Sequence, residues 1–422
     1  MYQVTRLENG LTVATAEMPH MASVSLGIWV GVGGRCEAEA VSGISHFIEH
    51  LLFKGTRRRT AREISQAVEG LGGYLNAYTS EEHTCFYARA RHDRFDELLD
   101  VLADMFLHST FDPAEIAKER EVIKEELAMY MDQPQQYVQE LLNATLWPGQ
   151  PLGRSITGTE KTLDAISRRQ LLDFQRKNYN AGATLIAAAG RLTHRQVVRA
   201  ARRYAGEFHG GARCGFAPAA AAQSRPAVRL CRKKTEQTQI AFGVRGCSRH
   251  DERRFALRVL NAVLGENMSS RLFQKVREDR GLAYSIYSAN SYFDDTGDLV
   301  ISAGLDLANL ERTLGIILRE LKRLREEPVP AAELRRARDY LIGQLDLSLE
   351  STESQMMWVG EQCLGYGKIS APELVKQRWS QVGPAEVRAA AREFIRPAQF
   401  NLALVSPLKS ARQVEKKLAA AL

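Results

Sequence analysis

The sequence has no run of apolar residues that approaches the roughly 18–20 residues needed to cross a membrane. Its first residues, MYQVTRLENGLTVATAEMP, have neither the basic segment and apolar core of a signal peptide nor an amphipathic leader rich in arginine and serine. We therefore expect no membrane span, and the cytoplasm is the default location.

Cysteine is scarce, and none of the six cysteines stands in a CxxC spacing. A chain of 422 residues can bury a sufficient core without disulfides. We therefore expect all six cysteines to be reduced packing residues that bind no metal.

Aromatic residues are absent from the basic stretches that could suggest a nucleic-acid surface. The formal charge is +7, and the runs TRRRTAR (56–62) and CRKK (231–234) carry part of the excess. Neither run belongs to a nucleic-acid motif. The sequence therefore predicts a solvated basic face and no nucleic-acid partner.

The chain is longer than the roughly 250–300 residues at which a single hydrophobic core stops growing, so at least two domains are expected. Residues 210–227, GGARCGFAPAAAAQSRPA, have no amphipathic period and place prolines among small residues, which is typical of a linker. The predicted domains are residues 1–209 and 228–422.

The two halves contain an internal repeat. A constant offset superposes Ala114 on Ala332, Ile116 on Leu334 and Leu127 on Leu345, and the strand-like segment 24–34 matches 238–246. In each half, strands and a helix precede a strand pair and a run of helices. This order predicts an α+β fold of two homologous domains, each with an antiparallel sheet and helices packed on one face.

The stretch SGISHFIEHLLFKGT carries three polar groups inside a run that is otherwise typical of a buried helix face. His46 and His50 are four residues apart, so a helix aims both imidazoles at one point, with Glu49 alongside. Two imidazoles suit zinc, and a catalytic zinc needs a third protein ligand. Without a third ligand, the two residues could equally be core histidines that bind no metal.

A candidate third ligand lies in the helical segment 114–134. Glu119 and Glu126 are two turns apart and share a face near the apolar residues Ile116, Ile123 and Leu127. A carboxylate there is costly unless it is paired or bound to metal, although acidic clusters are more often solvated. The second half has no such set: residues 259–265 contain no metal ligand, and Gln344 stands opposite Glu126.

His46-x-x-Glu49-His50 followed by Glu126 resembles the inverted zinc motif of the insulinase, pitrilysin and mitochondrial processing peptidase family. The segments 72–90 and 269–288 resemble two further motifs of that family, in the same order along nearly the whole chain. The resemblance implies that His46, His50 and Glu126 bind one zinc ion per chain. It makes Glu49 the general base and Glu119 a residue that supports the ligands.

The segment 269–288 resembles the part of the family's second domain that carries an arginine and a tyrosine. The resemblance implies that Arg277 and Tyr284 hold the substrate carbonyl and the developing oxyanion. One departure is the stretch VLGENMSSRLF (263–273), which is poorer in glycine than the corresponding loop of some relatives. We therefore expect no flexible substrate-sampling loop.

The segment after Gly73 alternates like a strand and resembles the family's edge strand. The helix before it is predicted to begin with a capping box of Thr60 and Glu63 and to end at Gly70. If the strand is an edge, an extended peptide can add to it by main-chain hydrogen bonds. The expected substrate-binding residues are Asn76, Ala77, Tyr78 and Thr79.

The resemblance implies a zinc endopeptidase that cleaves unstructured peptides or presequence-like segments inside a clamshell chamber. The expected assembly is a homodimer, or a heterodimer with a related subunit. Two alternatives remain open at this point: an inactive structural relative, and a peptide-binding or chaperone partner of an active subunit.

Overall fold

The computed structural model describes residues 2–220 and 222–420. The strands are β1 (Tyr2–Arg6), β2 (Thr12–Glu17), β3 (Ser23–Val30), β4 (Tyr74–Thr79), β5 (Thr84–Arg91), β6 (Thr184–Gly190), β7 (Ala227–Arg232), β8 (Thr238–Gly246), β9 (Ala283–Tyr292), β10 (Gly297–Leu305) and β11 (Asn401–Ser406). None of the helices in this part of the chain is both long and apolar enough to cross a membrane.

The helices of the first half are α1 (Ile44–Leu52), α2 (Ala61–Glu69), α3 (Phe95–His108), α4 (Pro113–Asp132), α5 (Pro134–Leu146), α6 (Glu160–Ala165), α7 (Arg168–Asn178) and α8 (His194–Ala205). The helices of the second half are α9 (Arg254–Leu264), α10 (Leu310–Glu326), α11 (Ala331–Ser348), α12 (Thr352–Tyr366), α13 (Pro372–Gln381), α14 (Pro384–Phe394) and α15 (Arg412–Ala419).

Two compact units interleave along the chain. The first consists of Met1–Ala128, Arg154–Ala217 and Leu347–Ala371, and the second of Met129–Gly153, Pro218–Asp346 and Pro372–Leu422. The packing therefore assigns α5, from the first half of the sequence, to the second unit. It assigns α12, from the second half, to the first unit, whereas the contiguous domains 1–209 and 228–422 keep each helix with its own half.

Each unit is built on one mixed sheet. The six strands of the first sheet follow the order β1-β2-β6-β3-β5-β4, and the five strands of the second follow β7-β11-β8-β10-β9. Strand by strand, β2, β6, β3, β5 and β4 correspond in position to the five strands of the second sheet. The predicted α+β fold with one sheet in each half is confirmed, and the repeat is visible in the topology.

Two details of the predicted sheets are wrong. Each sheet contains one parallel pair, β2 with β6 and β7 with β11, in place of a wholly antiparallel arrangement. Helices also lie on both faces: Met356 and Val359 of α12 pack with Trp29 on the second face of the first sheet. All seven residues of β6 are buried, as expected for a strand that is covered on both faces.

Of the predicted linker, residues 210–220 and 222–226 contain no helix or strand, Ala227 begins β7, and Ala221 lies outside the described residues. The part that belongs to the first unit packs on it. Cys214 forms a disulfide with Cys36, and the Arg35 guanidinium lies 3.8 Å from the centre of the Phe216 ring. The prediction that all six cysteines are reduced is therefore wrong for this pair, whose separation of 178 residues hides it from sequence reasoning.

Candidate metal centre

Helix α1, which carries the two histidines, is held at its start by a glycine and a buried carboxylate. Gly43 has a φ of +95°, and a Cβ there would lie 2.7 Å from the Thr157 carbonyl oxygen. The Glu37 carboxylate accepts hydrogen bonds from the backbone N–H groups of Gly43 (2.7 Å) and Ser45 (2.8 Å). Burial raises the pKa of Glu37 more than these hydrogen bonds lower it, and the net pKa is about 7.

The side chains of His46, His50 and Glu126 converge. One ligand atom from each lies within 4.8 Å of the others. Glu126 Oε2 is 3.8 Å from His46 Nε2 and 3.6 Å from His50 Nε2. Atoms bound about 2.1 Å from a tetrahedral zinc ion lie about 3.4 Å apart, so these separations fit such an ion. Two imidazoles and one carboxylate are also a donor set typical of catalytic zinc.

Glu119 and Lys54 support this set of ligands. Glu119 Oε2 lies 3.1 Å from His50 Nδ1, and its Oε1 lies 2.8 Å from Lys54 Nζ. A carboxylate on Nδ1 favours the tautomer that leaves Nε2 free to bind a metal. Glu119 is 4% exposed on the buried face of α4, which it shares with Ile116, Ile123 and Leu127.

The protonation of the two histidines differs. Burial and the neighbouring His50 lower the pKa of His46 to about 4, so its imidazole is neutral near pH 7, as a metal ligand must be. Burial lowers the pKa of His50, but hydrogen bonds to Glu126 and Glu119 outweigh this effect and raise it. The His46 Nδ1 atom is buried and has no hydrogen-bond partner among the described residues.

Glu49 lies on the same helix, beside the convergent ligands. Its Oε2 accepts a hydrogen bond of 2.5 Å from the Thr79 hydroxyl on β4. Burial raises the pKa of Glu49, while the Thr79 hydrogen bond and the nearby His50 lower it less strongly. A half-buried carboxylate with a raised pKa next to a metal site has the properties of a general base.

Arg277 and Tyr284 belong to the second unit, where they lie together. Arg277 is part of a π-helical turn, Phe273–Glu278, and Tyr284 stands on β9. The Arg277 guanidinium lies 5.5 Å from the centre of the Tyr284 ring and 4.9 Å from the centre of the Phe273 ring. The Tyr284 side chain is among the most exposed aromatic groups of its unit, at 76%.

The four residues expected to bind substrate lie on β4, at one edge of the first sheet. Asn76 and Tyr78 alternate with Ala77 and Thr79 across this strand, so the two pairs face opposite sides of the sheet. The Ala77 backbone N–H donates to the Asn76 side-chain oxygen at 2.8 Å. The predicted Thr60/Glu63 capping box before β4 is present, and Gly70 is the C-cap residue at which α2 ends.

His46, His50 and Glu126 are the one group of this kind within the described residues. The corresponding helix of the second unit, α9, buries Val259 and Val263 at the positions that match His46 and His50. Gln344, on α11, takes the place of Glu126 in the repeat. Within the described residues, the candidate metal centre is therefore confined to the first unit.

Sequence reasoning did not identify two supporting residues, Lys54 and Glu37. Lys54 lies four residues after His50, just beyond the end of α1. This spacing places it on the same side of the helix as His50 and could have identified it from the sequence. Glu37 had no such signal. Its role depends on the turns that bring it to the start of α1.

Comparisons with known proteins found family matches over both halves of the chain. Residues 12–160 match the family described as insulinase (peptidase family M16), and residues 165–341 match the peptidase M16 inactive domain. The uncharacterized zinc protease YmxG of Bacillus subtilis is 37% identical over 401 residues, covering 95% of this chain and 97% of that protein. The uncharacterized zinc protease SCO5738 of Streptomyces coelicolor is 39% identical over 413 residues, covering 96% and 89%.

Two solved structures share the fold at 20% sequence identity. A protease from Helicobacter pylori superposes with a TM-score of 0.91, covering 96% of this chain and 100% of that one. A peptidase M16 inactive domain from Pseudomonas fluorescens superposes with a TM-score of 0.89, covering 97% and 99%. Together with the matched residues, which span most of the sequence, these findings confirm the predicted resemblance. The chain belongs to peptidase family M16, the insulinase family of metallopeptidases.

Proposed function

We propose that the chain is a zinc-dependent endopeptidase that hydrolyses unstructured peptides or presequence-like segments. The observation that carries this proposal is the convergence of His46, His50 and Glu126 beside the half-buried carboxylate of Glu49. Several relatives that match nearly the whole chain are named zinc proteases, which supports zinc as the metal. We expect one zinc ion per chain.

In this mechanism, His46, His50 and Glu126 would hold the metal, and Glu119 orients His50. Bound there, zinc would supply a Lewis acid for the scissile carbonyl and would lower the pKa of a bound water towards about 7. Glu49 accepts the proton of the attacking water and passes it to the leaving amine. Tyr284 donates a hydrogen bond to the oxyanion, and Arg277 holds the substrate carbonyl.

The substrate is an extended peptide that adds to the free edge of β4. Main-chain hydrogen bonds to residues 76–79 give this binding mode little dependence on sequence, and they require an unfolded segment. The edge position of β4 and its link to Glu49 through Thr79 support this arrangement.

Zinc content and peptide hydrolysis together test the proposal. Glu49→Gln should keep zinc but lower kcat by at least about 10²–10⁴-fold, because the amide cannot accept a proton. Glu126→Gln should lose both zinc and activity. Glu125→Gln is the matched control, since Glu125 is an exposed neighbour on the same helix.

Cleavage by Glu49→Gln within about tenfold of the wild-type rate would contradict this mechanism. A wild-type chain without zinc would favour an inactive structural relative. A chain that binds zinc and peptide but cleaves nothing by itself would favour a peptide-binding partner of another subunit.

We also propose that the working unit is a dimer, most simply a homodimer, in which Arg277 and Tyr284 of one chain serve the zinc site of the other. The test mixes Glu49→Gln with an Arg277→Ala/Tyr284→Phe variant under conditions of subunit exchange. Each variant alone is expected to be inactive, and a mixed dimer would contain one complete site. Exchange without recovered activity would exclude the shared site.

A cytoplasmic location stays a prediction. A disulfide such as Cys36–Cys214 is uncommon in reducing compartments. Cell fractionation, with the thiols blocked before lysis, tests the location and the state of this pair together.

A further inference from the structure

Thr79 occupies the end of strand β4, and its side chain points toward helix α1. Leu75 and Ala77, which precede it on the same face, pack against the core that includes α1. The Thr79 hydroxyl donates to Glu49 Oε2 at 2.5 Å. This side chain is therefore directed at the proposed general base and away from the face that carries Asn76 and Tyr78.

The neighbouring hydroxyl of Thr84 does not donate to Thr79. Thr84 is opposite Thr79 in the pairing of β4 with β5, and the two hydroxyl oxygens lie 3.3 Å apart. Thr84 is fully buried and donates its own proton to the Val32 carbonyl oxygen at 2.9 Å. Each hydroxyl has one proton, so Thr84 can only accept from Thr79, and the Thr79 proton goes to the nearer acceptor, the Glu49 carboxylate oxygen at 2.5 Å.

The arrangement leaves one oxygen of Glu49 unused. Oε2 is occupied by Thr79, whereas no described residue hydrogen-bonds to Oε1. A carboxylate that is held at one oxygen has less rotational freedom and presents the other oxygen in one direction. Fixed orientation of a general base is worth a large factor in rate, since a misplacement of about 1 Å can cost about 10²-fold.

We propose that Thr79 is a positioning residue, whose hydroxyl orients Glu49 for proton transfer and connects the base to the strand that receives the peptide. This inference rests on the proposed function. It differs from a substrate-binding role for the Thr79 side chain, because a side chain that contacts substrate would affect KM, whereas one that orients the base affects kcat.

The experiment compares Thr79→Val with Thr79→Ser in hydrolysis of an unstructured peptide by the zinc-loaded chain. Valine keeps the shape of threonine but removes the hydroxyl, and serine restores the donor. We expect Thr79→Val to lower kcat about 10–100-fold with KM within about twofold of the wild type. Thr79→Ser should recover most of the rate, and both variants should keep the zinc content and thermal unfolding temperature of the wild type.

A second comparison uses Glu49→Gln as the background. If Thr79 acts through Glu49, Thr79→Val should cause little further loss once the base is gone, so the two effects are not additive. An equal loss in both backgrounds would overturn the proposal. A rise in KM at constant kcat, or a serine variant as impaired as the valine variant, would also overturn it.

If the valine variant does not fold, Thr79→Ala and Thr79→Ser provide the same contrast between an absent and a present hydroxyl. A wild-type chain that binds zinc but cleaves no peptide would refute the proposed function, and the role of Thr79 with it. A wild-type chain that cleaves peptide at the same kcat as Thr79→Val would refute the role of Thr79 alone.

Discussion

Replacing Glu119 by glutamine is expected to weaken zinc binding without abolishing it. Glu119 does not lie among the three convergent ligands, but its two oxygens contact His50 Nδ1 at 3.1 Å and Lys54 Nζ at 2.8 Å. In the tautomer that leaves His50 Nε2 free to bind a metal, His50 carries its proton on Nδ1. His50 Nδ1 and Lys54 Nζ then both donate to the Glu119 carboxylate. Glutamine has the same shape but only one acceptor oxygen.

The side-chain amide in the Glu119→Gln variant has two orientations, and each is worse than the carboxylate. With its oxygen toward His50, the NH₂ group meets the Lys54 ammonium, donor against donor. With its NH₂ toward His50, the imidazole takes the tautomer with its proton on Nε2, which cannot bind a metal. Loss of such a supporting partner typically costs about 10–100-fold in metal affinity, which equals about 1.4–2.8 kcal/mol.

The assay is competition for zinc between the purified chain and a chelator of known affinity at constant pH. Glu125→Gln, an exposed change of the same chemistry on the same helix, should match the wild type, and His50→Ala should lose the metal altogether. A dissociation constant for Glu119→Gln within about threefold of the wild type would refute the orienting role. A loss as complete as that of His50→Ala would make Glu119 a ligand in its own right.

Three further outcomes are expected. Gln344→Glu should leave zinc content near one per chain by metal analysis, because α9 offers no histidines; a second zinc would contradict this. Alkylation of the unreduced, denatured protein should modify four of the six cysteines, sparing Cys36 and Cys214; six modified residues would disprove the disulfide. Arg271→Met should lower the free energy of unfolding by about 2 kcal/mol in chemical denaturation, because Glu333 loses both hydrogen bonds from Arg271, while buried Glu320 keeps Lys275 and Arg323 as cationic neighbours; no change would contradict this.

Much of the candidate site was predictable because its parts are local. His46, Glu49 and His50 share a helix face through a spacing of less than two turns, and the same reasoning places Glu119 and Glu126 together on α4. Capping chemistry marked the start of α2 at Thr60. That the two helices bring these groups to one point was implied by the family resemblance and could not be obtained from spacing.

The sequence by itself determined the period of each helix and strand, the repeat of the two halves and the family to which the chain belongs, since these depend on residues close in sequence or on motifs in order. Only the tertiary structure decided the exchange of α5 and α12 between the units, the parallel strand pairs and the Cys36–Cys214 disulfide. It also decided that the Thr79 hydroxyl meets Glu49. The physical reason is that a pattern of burial shows which face of an element is covered, while the covering partner is chosen by contacts between residues far apart in the chain.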